Sequence, residues 1–253
     1  MSSKKLWNEV ASEYEDHSYH EKDDCYPANK FRAKIVLDFF KKQEKGTVLD
    51  AGCGTAYIAR RLMKEGWNCT CIDQSENMLE VAKKKTEKQN LKADFKECSI
   101  LDMSIFEDNK FDFIMLNGVL PYVSEEDESK AYSECNRILK KGGHIIIAQY
   151  NALFDLFMTE NYKKQINKLL TYKQVVDFDD KTMKYENPLT YETKLKKYGF
   201  KEENKYYYNF YLLPPKFTKK DDNLMREKLE KTLYDKWQGI FMAKTFVSIA
   251  KKV

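Results

Sequence analysis

Two acids and two glycines carry the most specific chemistry in this sequence. Residues 48–55 read Val48-Leu49-Asp50-Ala51-Gly52-Cys53-Gly54-Thr55, and Asp73 follows nineteen residues after Gly54 in Cys71-Ile72-Asp73-Gln74-Ser75. A short apolar strand here ends in an acid and a tight Gly-x-Gly turn, and a helix begins at once. In a doubly wound sheet the carboxyl ends of the strands face the ligand crevice, so both acids would stand over a bound nucleoside. Asp73 is placed to accept hydrogen bonds from ribose hydroxyls. Gly52 and Gly54 let the backbone approach a ligand with no Cβ in the way. A dinucleotide fingerprint would want a third glycine, for close helix–strand packing around a pyrophosphate. That position is Tyr57, and Asp50 would repel a diphosphate. An acid at this point suits an amine or a positive centre.

The elements that must position these residues alternate. Strands are expected over 47–51, 68–72, 93–97, 111–116 and 144–148. Helices are expected over 56–65, from the N-cap Ser75 with Met78, Leu79 and Ala82 inward, and over 126–140, ended by Gly142-Gly143. This pattern predicts an α/β, doubly wound (Rossmann-like) mostly parallel sheet of about seven strands with right-handed crossovers. Residues 1–45 read as broken amphipathic helix, with Leu6, Trp7, Val10 and Tyr14 at helical spacing, and then Phe31, Ile35 and Phe39. Late in the chain a helix over 188–198 precedes strands at 205–213 and 243–250. Stretches 151–187 and 214–240 are too long for simple connections and lie where helical caps over the crevice would go. The expected organisation is one domain over 1–253: an N-terminal lid at 1–45, a ligand-binding core at 46–150, and two cap insertions.

Charge is dense but balanced, 44 Lys+Arg against 40 Asp+Glu, and the basic residues are scattered in pairs such as Lys41-Lys42 and Lys219-Lys220. No basic stripe suits nucleic acid, so none is expected as a partner. No apolar run reaches membrane-spanning length. The six Cys show neither a CxxC pair nor metal-ligand spacing. Reduced, mostly buried thiols in a cytoplasmic protein account for them. The expected form is a monomer or a homodimer.

The Asp50–Gly54 segment resembles motif I of the class I S-adenosylmethionine-dependent methyltransferases, and Asp73 resembles the acid of their motif II. The resemblance covers residues 45–150 well and the remainder in outline; Ala56 stands where the family often has Gly. It implies S-adenosyl-L-methionine as cofactor and S-adenosyl-L-homocysteine as product. It also implies Asp50 on the methionyl amine, Gly52 and Gly54 against the cofactor, and Asp73 on the ribose with Gln74 beside it. Relatives often carry an acid at the position of Ser99 for the adenine amino group. Ser99 can still accept that bond, and Ile100 offers a backbone N–H and an apolar wall. Asn117 falls where the family places a residue beside the transferring methyl. Gly118-Val119-Leu120-Pro121-Tyr122 is not the Asn/Asp-Pro-Pro-Tyr signature of amino methyltransferases acting on DNA bases or glutamine. Tyr14 and Arg32 resemble the aromatic and basic residues that fold over the methionine end. They read equally as a core aromatic and a surface charge.

Methyl transfer from a sulfonium is an in-line displacement in which alignment supplies much of the rate. A general base is needed only for a nucleophile that arrives protonated, such as an alcohol. Of the three His, His144 opens a strand at the end away from the crevice. His17 and His20, near Glu21, Asp23 and Asp24, are candidate bases, and Tyr26 is a candidate contact. All three also fit a hydrated loop without a chemical role. No metal site is expected. The stretch Asp23–Arg32, with Tyr26-Pro27-Ala28-Asn29, looks like the opening of bacterial methyltransferases acting on sugars or other small secondary metabolites. The resemblance therefore implies transfer to a small molecule, first to a hydroxyl of a sugar or polysaccharide precursor. A small-amine N-methyltransferase and a catalytically silent binding module stay open beside it.

Overall fold

The computed structural model describes residues 3–19, 27–154, 175–178, 181–211 and 223–253. Three helices, α1 (Ser3–Val10), α2 (Tyr14–Tyr19) and α3 (Ala28–Phe40), precede the first strand. The core then alternates β1 (Thr47–Ala51), α4 (Tyr57–Lys64), β2 (Asn68–Asp73), α5 (Glu76–Glu87), β3 (Asp94–Glu97), β4 (Phe111–Asn117), α6 (Glu125–Ile138) and β5 (Leu139–Asn151). A hairpin β6 (Val175–Phe178) and β7 (Lys181–Glu186) follows, then α7 (Tyr191–Lys197), β8 (Phe200–Phe210), α8 (Asn223–Leu233) and β9 (Ala243–Lys252).

β3, β2, β1, β4 and β5 run parallel in that order, and β9 and β8 complete the sheet as an antiparallel pair beyond β5. The central strands are apolar on both faces because helices cover both. On one face Val48, Met115, Ile146 and Val247 pack with Val36 and Phe40 of α3 and Ile58 and Leu62 of α4. On the other, Leu49, Ile114, Ile145 and Phe246 pack with Ala131, Cys135 and Ile138 of α6 and Leu195 of α7.

Helix starts follow local chemistry. Ser75 caps α5 by accepting from the Met78 N–H at 3.2 Å, and Met78, Leu79 and Ala82 face inward as expected. Ser124 caps α6 through the Asp127 N–H at 3.1 Å, and four acids in the first turn complement the helix dipole.

Three expectations need correction. The helix expected over 126–140 ends at Ile138, and Gly142-Gly143 lie inside β5. There the pairing with β4 slips between Phe111 and Phe113, and a Cβ on Gly143 would fall 2.7 Å from the Asp112 carbonyl oxygen. The glycines serve a bulge, which sequence cannot distinguish from a helix stop. Second, the last-but-one strand begins at Phe200, not 205, because β9 offers partners as far as Lys252. Third, the described part of the 151–187 insertion, expected as helix, is helical only at 152–154 and otherwise carries the strand hairpin β6–β7. β5 outruns β4, whose pairing stops at Asn117 with Ala148, and β7 takes up the vacated edge at Tyr150 and Asn151. The 214–240 insertion does carry its helix, α8, docked on the end of β8. Arg226 Nε donates to the Phe210 carbonyl at 2.8 Å, and Glu230 accepts from the Asn209 N–H at 2.5 Å.

Among the described residues no helix is long and apolar enough to cross a membrane.

Candidate active site

The carboxyl ends of β1, β2 and β4 open into one cleft with a volume of about 200 Å³. It is lined by Asp50, Gly52, Gly54, Asp73, Gln74, Ser99, Ile100 and Asn117, together with Tyr14 from the N-terminal segment. Nine of the ten residues expected at the cofactor therefore converge on one cavity. Arg32, the tenth, is buried just behind it.

The turn after β1 is built for close approach. The Gly52 and Cys53 N–H groups both donate to the Ile72 carbonyl, at 2.8 and 2.9 Å, which fastens the turn to the end of β2. Gly52 adopts φ +74°, and a Cβ there would meet Val119 Cγ2 at 2.4 Å. Ala56 also takes a left-handed conformation, φ 56°, where the family often has the glycine that geometry favours. Asp73 is fixed by two backbone donors, the Gly54 N–H to Oδ2 at 2.8 Å and the Ser75 N–H to Oδ1 at 2.9 Å. Each oxygen keeps lone-pair capacity for a hydroxyl donor.

Asp50 is 3% exposed. Burial, and then the neighbouring Asp73 carboxylate, raise its pKa to about 7, against the opposing pull of Arg32. Asp73 is also raised, by burial, with its backbone donors acting the other way. A carboxylate this costly to ionise is ready for an ammonium partner. Arg32 Nη2 donates to the Tyr19 hydroxyl at 3.0 Å, while its buried Nε has no hydrogen-bond partner. A Cβ on Gly118 would lie 2.8 Å from Arg32 Nη1, so the backbone after β4 passes directly over the guanidinium.

Both amide atoms of Asn117 are buried and unpartnered at the end of β4. A buried amide left without partners costs on the order of 1–3 kcal/mol, which a ligand in the cleft would recover. Ser99 Oγ accepts from the Leu101 N–H at 3.2 Å, which shapes the expected adenine wall.

The N-terminal segment roofs the cleft. Asn8 Oδ1 accepts from Ser75 Oγ at 2.6 Å, two residues from Asp73, and the Asn8 carbonyl accepts from Asn77 Nδ2 at 3.0 Å. Glu15 of α2 pairs with Arg60 of α4 at 2.6 Å, both buried, and lies 3.4 Å from Lys85 of α5. Trp7 stands edge-on to Tyr14 (centroids 5.9 Å apart) and to Tyr122 (5.2 Å), joining the segment to the 3-10 turn Leu120–Tyr122 after β4. Tyr19 stacks on Tyr57 at 3.6 Å.

Trp7, Tyr19, Tyr57, Val119, Tyr122 and Asp127 line the cleft too. Sequence reasoning missed them as site residues. In the sequence Tyr57 stands out only as a departure from the dinucleotide pattern, and Trp7 only as part of a helical stripe. His17 does not line the cleft; it lies 3.5 Å from Glu13, with a side chain 65% exposed. The other two chemical candidates, His20 and Tyr26, lie outside the described residues. His144 does not open β5 but lies within it, opposite Phe113 and four residues before the Asn117–Ala148 pair, where it contacts Glu203 at 3.0 Å. The Tyr-rich 206–211 stretch contributes Tyr207 and Tyr208 to the core.

A five-stranded parallel core closed by an antiparallel pair, with an acid after β1, a glycine turn and an acid after β2 facing one cleft, defines the class I S-adenosylmethionine-dependent methyltransferase fold. Residues 49–147 match the family described as a methyltransferase domain. Among similar proteins is a putative methyltransferase of Geobacillus sp. strain WCH70, 34% identical over 112 residues that make up 44% of this chain and 44% of that protein. A ubiquinone biosynthesis O-methyltransferase of Coxiella burnetii is 29% identical over 111 residues, 44% of this chain and 46% of that protein. The chain thus spans about half the length of the curated relatives it matches. The solved structure of magnesium protoporphyrin IX methyltransferase from Synechocystis PCC 6803, with bound S-adenosylhomocysteine, superposes with a TM-score of 0.66 at 14% identity. That superposition covers 99% of this chain and 98% of the other, and shows a shared fold.

Proposed function

We propose that the protein transfers a methyl group from S-adenosylmethionine to a small-molecule acceptor, with a hydroxyl as the nucleophile. The observation that carries this reading is the Asn117 amide, buried and unpartnered in the same cleft as Asp50 and Asp73. Bound there, the cofactor supplies a methyl group on a positively charged sulfur. Asp50 holds the amine, Asp73 the ribose hydroxyls, Ser99 and Ile100 the adenine edge, and Arg32 neutralises charge at the methionine end. Asn117 offers an acceptor and two donors beside the reacting atoms, which suits orienting a hydroxyl. The aromatic roof of Trp7, Tyr14 and Tyr122 excludes water and restricts the approach of the acceptor.

A relative named for O-methylation supports the oxygen nucleophile. The sugar or polysaccharide precursor that the sequence suggested is one such hydroxyl compound. N-methylation of a small amine is a second reading, favoured by the three aspartates on the cleft wall. The test has two stages. Titration calorimetry with S-adenosylhomocysteine is expected to show micromolar binding, abolished or strongly weakened in Asp73→Ala. Methyl transfer from labelled cofactor to a panel of alcohols, phenols and amines is then measured. Asn117→Ala is expected to keep product affinity and to lose about 100-fold in turnover. Binding of the product without turnover on any acceptor class would support a silent binding module.

A further inference from the structure

The charged side chains on the cleft wall, among the described residues, are all acids: Asp50, Asp73 and Asp127. The first two are occupied by the cofactor in the function proposed above, on which this inference rests. Asp127 is not. It stands in the first turn of α6 next to Val123 and Ser124, on the rim beyond Asn117. The nearby cations among the described residues are engaged elsewhere: Lys184, whose Nζ lies 3.5 Å from the Ser124 carbonyl, pairs with Glu128 at 2.8 Å. Arg32 is buried behind Gly118, turned toward Tyr19 and Asp50. Lys130 pairs with Asp127 at 3.0 Å from the solvent side, one helical turn further along α6.

The remaining surface there is aromatic and apolar. Trp7 and Tyr122 meet across the mouth, with Val119 and Val123 below them. Among the described residues, a phosphate or carboxylate entering this space would face an aspartate and no cation that is not already paired. A flat ring would find a π-face and an edge.

We propose that the acceptor is a planar ring bearing the hydroxyl and no anionic group, so that phosphorylated and nucleotide-linked sugars are excluded. Trp7 and Tyr122 hold the ring, and Asp127 selects against negative charge. The consequence is a dependence on charge at constant shape. Adding a carboxylate to the ring is expected to weaken binding about tenfold at low salt, from repulsion by a nearby aspartate in a partly hydrated site. Raising the salt concentration should narrow that gap, since the Debye length falls to about 3 Å at 1 M.

The experiment uses the full chain saturated with S-adenosylhomocysteine, with saturation shown first by calorimetry. Failure at that stage would strike the methyltransferase reading itself and not the acceptor class. 4-Methylcatechol, dopamine, 3,4-dihydroxybenzoate and UDP-glucose are then titrated separately. The neutral and cationic rings are expected to bind, the dihydroxybenzoate about tenfold more weakly than 4-methylcatechol, and UDP-glucose more weakly still. Asp127→Asn should raise the relative affinity for the dihydroxybenzoate. Trp7→Leu should weaken all three rings while product binding persists, which shows that the variant is folded. The proposal is overturned if UDP-glucose or the dihydroxybenzoate binds as tightly as 4-methylcatechol, or if no ring binds at millimolar concentration. It is equally overturned if Trp7→Leu leaves ring affinity unchanged.

Discussion

Replacing Asp50 with Asn should stabilise the ligand-free protein at pH 8 and at the same time ruin its affinity for the cofactor. In the folded state the Asp50 carboxyl titrates near 7 instead of 3.8, because it is buried and close to Asp73. A folded pKa above the unfolded one means that the contribution to stability is fully present below pH ~3.8 and is lost as pH rises through ~7. At 1.36 kcal/mol per pH unit, the rise amounts to about 4 kcal/mol. Asn fills nearly the same volume and does not ionise, so most of that cost disappears. A net gain of about 3 kcal/mol at pH 8 would raise Tm by roughly 6–12 °C for a chain of this size. At pH 4, where Asp50 is already protonated in the fold, the two proteins should melt together. Calorimetric titration with S-adenosylhomocysteine should show the opposite sign, a loss of about 100-fold for Asp50→Asn, because the ammonium loses its charge-assisted partner. For the unaltered protein, affinity should climb close to tenfold per pH unit between about 5.5 and 7 and level off above that, as the proton on Asp50 no longer has to be displaced. An unchanged or lowered Tm for Asp50→Asn at pH 8 would refute the claim that the site stores destabilising charge. Unchanged product affinity would remove Asp50 from the amine.

Two further outcomes test how the site is assembled. Arg60→Met leaves Glu15 buried without its main partner, and should cost about 3–5 kcal/mol in chemical denaturation, whereas Glu15→Leu combined with Arg60→Met should recover most of that loss. The Glu15 carboxyl is lowered by Arg60, Thr55 and Lys85, which together outweigh its burial, so its contribution is present above the usual carboxylate range and is lost as pH falls through the folded value. Amide exchange of residues 3–19 should therefore quicken in Arg60→Met, and in the unaltered protein under acid conditions. Gly52→Ala combines a left-handed backbone with a Cβ 2.4 Å from Val119, and should abolish product binding in calorimetry. Val119→Ala added to it should restore part of the affinity, because it removes the clash but not the backbone strain.

Much of the fold was legible because its signals are local. The strand–turn–helix around Gly52 and Gly54, the Ser75 cap and the apolar run of β4 each depend on neighbours within a few residues. The places where the reading slipped depend on distant partners. Gly142-Gly143 looked like a helix stop because a bulge becomes visible only against Asp112 on the adjacent strand. The hairpin in the 151–187 insertion depends on how far β5 outruns β4, a length difference that no pattern in the insertion itself encodes.

The same division runs through the site. The sequence by itself determined one pole of the cleft: two acids at strand ends and a glycine turn between them, since the register of two adjacent parallel strands brings Asp50 beside Cys71, two residues before Asp73. Only the tertiary structure decided the opposite pole. Trp7, Tyr122 and Asp127 come from three elements separated by more than a hundred residues of chain at the extremes, and they meet because Asn8 and Glu15 fasten the N-terminal segment to Ser75 and Arg60. It also decided the electrostatics. Asp50 is an ordinary carboxylate in the sequence and a near-neutral titrating group in the fold, because burial is a property of the whole packed chain.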